Sequence, residues 1–262
     1  MKKSMKLLLI VFVFISYLTY GQTKLYFIGG IHNNNPGYNS DTIYNILEDI
    51  EPDVILFEVD SIFFNDDFTF NSVMWPGTLE GCDAIASTKY QKEHNGILRP
   101  FDIEGRNKFY NDHEYATKEP EMLFKIDSLF RNNVLAEKNY QEFEFFFTTF
   151  YLTSVRGYSL EEVNSLMFRR LCELKHYIVW DLNVEIVKNT PALHEYIEFA
   201  EIRRDFWIKR NDAMVEHILF WCNEFENQTI VVLTGAEHLY YLYNNLEEIA
   251  EEKNIEIIEY WK

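Results

Sequence analysis

The stretch LYFIGGIH, Leu25–His32, decides how this chain is read. Four apolar positions, Leu25–Ile28, run into two glycines, and a histidine follows two residues later. The pattern is a short buried strand that stops where the backbone can approach a neighbour closely, and then presents an imidazole. A second stretch with the same grammar, TIVVLTGAEH, spans Thr229–His238 near the other end of the chain. Working outward from the first, Ser40 or Asp41 caps a helix through Ile50, with Ile43, Ile46, Leu47 and Ile50 on one face. VILFEVD, Val54–Asp60, is then a second strand, and strand–helix–strand in so short a span implies parallel pairing. A helix over Leu79–His94 and a strand in ILRPFDIEG, Ile97–Gly105, continue the pattern, with Pro100 sending that strand to an edge or a bulge.

From Pro120 to Trp221 the sequence is helical in character throughout, including one long stretch from Ser159 to Val187 that opens on a Ser159/Glu162 capping box. The strand at Thr229–Gly235, a helix over Glu237–Glu252 and a last strand in IEIIEYW, Ile255–Trp261, close the chain. The expected fold is a single α/β domain over residues 22–262. It has a mixed, largely parallel central sheet flanked by helices, and a long helical insertion, about residues 115–222, capping one sheet edge.

The first 21 residues read as a signal peptide, with basic MKKSMK, apolar LLLIVFVFISYLTY, and small Thr19 and Gly21 before a cut at Gly21–Gln22. The apolar run falls short of the roughly 20 residues needed to span a bilayer, so no stable membrane anchor is expected. The expected location is periplasmic or secreted. Removal of Lys2, Lys3 and Lys6 with no acid takes the net charge from -18 to about -21. Such a polyanion repels phosphate backbones, which argues against nucleic acid as a partner. Three cysteines are too few for a disulfide scaffold; Cys82, Cys172 and Cys222, far apart and odd in number, read as buried thiols, with one disulfide among them left open. Nothing in the composition sets the oligomeric state.

Ligands of parallel α/β sheets bind beyond the carboxyl ends of the strands. At that edge the four expected strands deliver His32; Glu58 and Asp60; Asp102 and Glu104; and Glu237 with His238. Neutral imidazole and carboxylate suit a divalent metal, which lowers the pKa of bound water and polarises a carbonyl. Asp60, Glu104 or Glu237 could then be the base, although Asp60 and Glu237 also stand where helix caps stand. In RRDFWIKRNDAMVEHI, Met214 and Ile218 face the core, which turns Arg210 and Asn211 toward the site. There is no HExxH, no GxSxG elbow and no phosphate loop. His94, His113, His176, His194 and His217 read as structural or surface residues.

Together GGIH, PDVILFEVD, RNDAM and VVLTGAEHLYYL resemble the TraB/GumN/Tiki group, within the wider erythromycin-esterase and ChaN-like superfamily. The resemblance implies an α/β fold with paired GxxH motifs at one site. Its Tiki members are similar to metal-dependent proteases using manganese or cobalt, its ChaN-like relatives bind haem, and the erythromycin esterases open a lactone. Carried over by motif are His32, Glu58, Arg210 and His238. The sequence departs from the pattern after His238, where LYYL stands in place of an early glycine.

Three functions are therefore expected to compete. One is an exported hydrolase of a peptide or ester bond, with manganese, cobalt or zinc held by His32, Glu58 and His238, and with Glu58, Arg210 and Glu237 as catalytic groups. The second is a haem- or iron-binding protein, with Phe143–Tyr151, FEFFFTTFY, as an apolar wall. The third is an interaction protein with a vestigial site.

Overall fold

The computed structural model describes residues 21–31, 37–152 and 158–261, with backbone alone for Thr78 and 146–152. The expected signal peptide, apart from Gly21, and His32 lie outside the described residues.

Five strands form one sheet: β1 (Thr23–Gly30), β2 (Val54–Phe57), β3 (Ile97–Pro100), β4 (Thr229–Gly235) and β5 (Ile255–Ile258). Their order is β3-β2-β4-β1-β5, and every pairing is parallel, so the sheet is not mixed. All four residues of β2 are buried, and so is β4 from its second residue on. A strand covered by helices on both faces has no polar side to keep, which explains the unbroken apolar runs. Pro100 ends the edge strand β3, where its missing N–H costs no ladder bond.

Helix α1 (Ser40–Ile50) packs on α2 (Cys82–His94). The cap of α1 is Asn39, one residue before the expected Ser40, and its side chain accepts from Thr42 N. Helix α2 starts at Cys82 rather than Leu79, because a 3₁₀ turn over Pro76–Glu80 and extended Gly81 precede it. The helical block comprises α3 (Arg106–Asp112), α4 (Tyr115–Arg131), α5 (Glu137–Leu152), α6 (Leu160–Asn164), α7 (Leu166–His176), α8 (Asn183–Asn189) and α9 (Ile197–Glu224). Helix α10 (Leu239–Ala250) then joins β4 to β5. The capping box at Ser159 and Glu162 is formed. The single helix expected from there to Val187 is broken at Ser165, whose backbone is extended and whose hydroxyl caps α7 by accepting from Phe168 N. A π-helical turn, Tyr177–Leu182, then joins α7 to α8.

Among the described residues the core has two parts. The larger joins the sheet to α1, α2, α10 and the inner faces of α6, α7 and α9. The smaller lies within the helical block, around Met122, Ile126, Phe143, Val187, Leu193 and Phe199. Helix α9 belongs to both: Phe199 and Ala200 enter the small core, while Met214 and Ile218, both fully buried, enter the large one. Arg203, Arg210 and Asn211 fall on its buried side between them.

Candidate functional site

Strand β1 leads through α1 to β2, passing over β4, whereas β4 leads through α10 to β5, passing over β1. Two adjacent strands thus send their connections in opposite directions. The crevice beyond their carboxyl ends is the switch point where such sheets bind ligands. Gly29 is in register with Thr234, and Gly30 with Gly235, so the two GxxH stretches leave the sheet side by side. Neither Gly29 nor Gly30 has a positive φ. They are glycines for space: a Cβ on Gly29 would lie 2.5 Å from Leu239 Cδ1 and 2.9 Å from Ala236 Cα, and one on Gly30 would run into the ring of Tyr38. Among the described residues β5 stops pairing with β1 at Tyr26, and Asn164 takes over beside Gly29. It accepts from Gly29 N at 2.7 Å and donates to Gly29 O at 2.9 Å.

Strand β2 ends at Phe57 rather than running on to Asp60, because Val59 N turns back onto Phe57 O at 2.8 Å. That turn puts Glu58 at the strand tip. Its Oε2 accepts from Gly235 N at 2.5 Å and Thr234 Oγ1 at 2.7 Å, and its Oε1 accepts from Arg210 Nη2 at 2.6 Å. Arg210 also grips Asp102, Nε to Oδ1 at 2.7 Å and Nη2 to Oδ2 at 2.8 Å. Arg106 Nη1 reaches the same Oδ2 at 2.6 Å. The side chains of Arg210, Glu58 and Asp102 are 8, 9 and 0% exposed. A charge so buried survives only when paired. Although burial opposes the charge on Arg210, Glu58 and Asp102 drive its pKa above the ordinary guanidinium value.

His238 is buried against this cluster. Asn211 Nδ2 donates to Trp207 O at 2.8 Å, which fixes the amide, so Asn211 Oδ1 is the acceptor facing His238 Nδ1 at 2.7 Å. The imidazole therefore carries its proton on Nδ1 and a lone pair on Nε2. Trp207 stacks on the ring, with centroids 4.7 Å apart and planes 19° apart. Burial pushes the His238 pKa down to about 3, Glu58 pulling the other way and Arg210 acting with burial. Nε2 lies 3.6 Å from Glu58 Oε1, beyond hydrogen-bond length. Two lone-pair acceptors thus face each other in a buried place, an arrangement that a cation relieves. Two ligands about 2.1 Å from one ion at a tetrahedral angle stand roughly 3.4 Å apart, so the spacing fits a shared metal. Among the described residues no three ligands converge; these are two donors, and the third expected ligand, His32, lies outside the described residues.

The other expected acids are placed elsewhere. Asp60 caps the turn Ser61–Phe63 and accepts from Gly105 N at 2.6 Å, which ties two loops together. Glu104 bonds Ser61, and burial together with Asp60 raises its pKa. Glu237 is taken up by Lys175 Nζ at 2.5 Å and His176 Nε2 at 3.1 Å. Burial acts to raise its pKa, but these two partners outweigh it and hold the carboxyl at about 2. Phe143, the start of the expected haem wall, packs in the small core against Phe130, with centroids 5.0 Å apart. The side chains of residues 146–151 lie outside the described residues. All three cysteines are free and buried, and burial pushes Cys172 and Cys222 up to about 12. Trp207, Arg106 and Asn164 have no sequence signal of their own, except that Trp207 stands one helical turn before Asn211.

No family model matches the chain, and neither a curated protein nor a solved structure matches it.

Proposed function

We propose that this crevice is the active site of an exported, metal-dependent hydrolase of the TraB/GumN/Tiki type, acting on a peptide or ester bond. One observation carries the reading. A neutral, anchored imidazole presents a bare Nε2 to the Glu58 carboxylate 3.6 Å away, at the switch point of a parallel sheet.

His238 and Glu58 would hold the ion, with His32 as the third ligand expected from the sequence. Such an ion supplies Lewis acidity toward a carbonyl and toward water. The chain's own residues do the rest. Asn211 keeps the proton on Nδ1 and so keeps Nε2 available, the outer support that ligating histidines use. Arg210 and the Gly235 N–H donate to Glu58 and hold its carboxyl at the strand tip. Trp207 shields one face of the imidazole from water. Glu237, held in its pair with Lys175 and His176, braces the turn that carries His238 and is not assigned the proton-accepting role. A cavity of about 410 Å³ opens beside Glu58 and Arg210, floored by Phe57, Val59 and Leu233, and gives a substrate room to reach them.

The test is metal content and turnover of the purified protein beside His238→Ala. Bound manganese, cobalt or zinc in the parent, lost in a folded variant together with metal-stimulated cleavage of peptide or ester substrates, supports the reading. No metal uptake and no turnover when the ions are supplied would overturn it.

A further inference from the structure

We propose that the cavity beside Glu58 recognises a carboxylate, so that the substrate of this site carries a free carboxyl group next to an apolar one. This rests on the hydrolase reading only for the word substrate; the binding itself stands on geometry.

Arg210 is 94% buried, the complement of its 6% exposure, and lines the cavity. Its bonds to Glu58 and Asp102 use Nε and Nη2 alone. Nη1, with two N–H donors, makes none of them. Arg106 lines the same cavity from the first residue of α3. It gives Nη1 to Asp102, and its Nε and Nη2 make no bond among the described residues. Asp102 thereby fixes two guanidiniums in one orientation, leaving the Nη1 end of Arg210 and the Nε/Nη2 fork of Arg106 for a further acceptor. A guanidinium held by a buried carboxylate loses little freedom when it binds a further anion, and its planar fork matches two carboxylate oxygens.

Much of the remaining lining is apolar, with Phe57, Val59, Phe63, Ala84 and Leu233; Cys82, Tyr110 and the carboxylate of Asp83, which accepts from Tyr38 Oη, also line it. A cavity of this size encloses a side chain or a short acyl chain beside the carboxylate. The long-range field of a chain of net charge -18 opposes an anion. Recognition must therefore come from these contacts, and a neutral isostere of the carboxylate should lose them.

The experiment compares N-acetyl-phenylalanine with N-acetyl-phenylalaninamide, which differ only in carboxylate against carboxamide. Both are titrated into the full chain by calorimetry, with and without added manganese. The expected result is at least tenfold tighter binding of the carboxylate, shrinking toward equality in Arg106→Gln. Asp102 keeps Arg210 in that variant, so the cluster stays assembled, and matched thermal melts check it. Arg106→Lys, which keeps the charge and loses the fork, should recover only part of the preference. Equal binding of the two ligands, or a preference that Arg106→Gln leaves intact, would overturn the proposal. Carboxylate preference without turnover in any metal would leave this subsite standing and remove the hydrolase, so the two readings fail separately.

Discussion

Asn164 stands beside Gly29 where a neighbouring strand would otherwise stand. Its side-chain amide supplies one acceptor and one donor, at 2.7 and 2.9 Å, to the N–H and C=O of Gly29, which β5 does not reach. The primary amide of asparagine has the same donor and acceptor pair as a peptide, so it can end a ladder cleanly. Asn164→Ala would leave a buried N–H and C=O unpaired at the root of the first GxxH stretch. Each orphan costs about 1–3 kcal/mol, so urea unfolding should report a loss of about 2–5 kcal/mol. Asn164→Asp, which keeps only the acceptor, should recover less than half of that. A loss under 0.5 kcal/mol in the alanine variant would show that the amide is dispensable.

Asn211 has the same standing toward His238. Removing it by Asn211→Ala strands the Nδ1–H and frees the ring to take the other tautomer, which turns a protonated nitrogen toward Glu58. Stability should fall by about 1–3 kcal/mol. If the ion is held as proposed, manganese or cobalt affinity should fall by roughly 10–100-fold, the range for losing a residue that supports a ligating histidine. Isothermal titration on parent and variant measures it directly, and unchanged affinity in a folded variant would remove His238 from the ligand set.

Arg210 bridges carboxylates from two strands that are far from it in sequence, and the charge cluster depends on it. Arg210→Met keeps much of the bulk but leaves Glu58 and Asp102 buried without their shared counter-ion. Breaking a buried pair from one side costs about 3–5 kcal/mol. Chemical unfolding at neutral pH should report that loss, and a loss under about 1 kcal/mol would mean that the cluster does not hold the fold together.

What the sequence made legible was local. Apolar runs marked all five strands, Pro100 marked the edge, and Ser159 with Glu162 marked a helix start. Met214 and Ile218 oriented α9 correctly and brought Arg210 and Asn211 inward. What was not legible depends on non-local pairing. Insertion of β4 between β2 and β1 cannot be read from any window, and it is what sets Glu58 against Gly235 and His238. Asp102 was one acid among several at the strand ends until two arginines converged on it. Glu237 looked available because nothing near it in sequence says that Lys175 and His176 stand opposite. The break at Ser165 was hidden because the apolar pattern runs through it, and only the extended backbone of one serine interrupts it.

His176 gives a pH dependence that belongs to the fold alone. It is 3% exposed, its Nε2 faces Glu237, and its Nδ1 has no partner among the described residues, as in a neutral ring donating from Nε2. Burial lowers its pKa, and Glu237 only partly offsets this. In the unfolded chain the ring titrates near 6.5. Below that pH the unfolded state takes up a proton that the folded state refuses, so stability falls as pH drops from about 7 toward 5, at no more than about 1.4 kcal/mol per pH unit for one site. Above pH 7 both states are neutral and the contribution is flat. His176→Gln keeps a donor for Glu237 and removes the titration, so its unfolding free energy should lose this part of the slope between pH 7 and 5. Below about pH 4.5 the depressed pKa of Glu237 adds a further loss on acidification, common to parent and variant. Parallel curves across the whole range would mean that His176 is charged in the folded protein, and that Glu237 holds an imidazolium rather than a neutral donor.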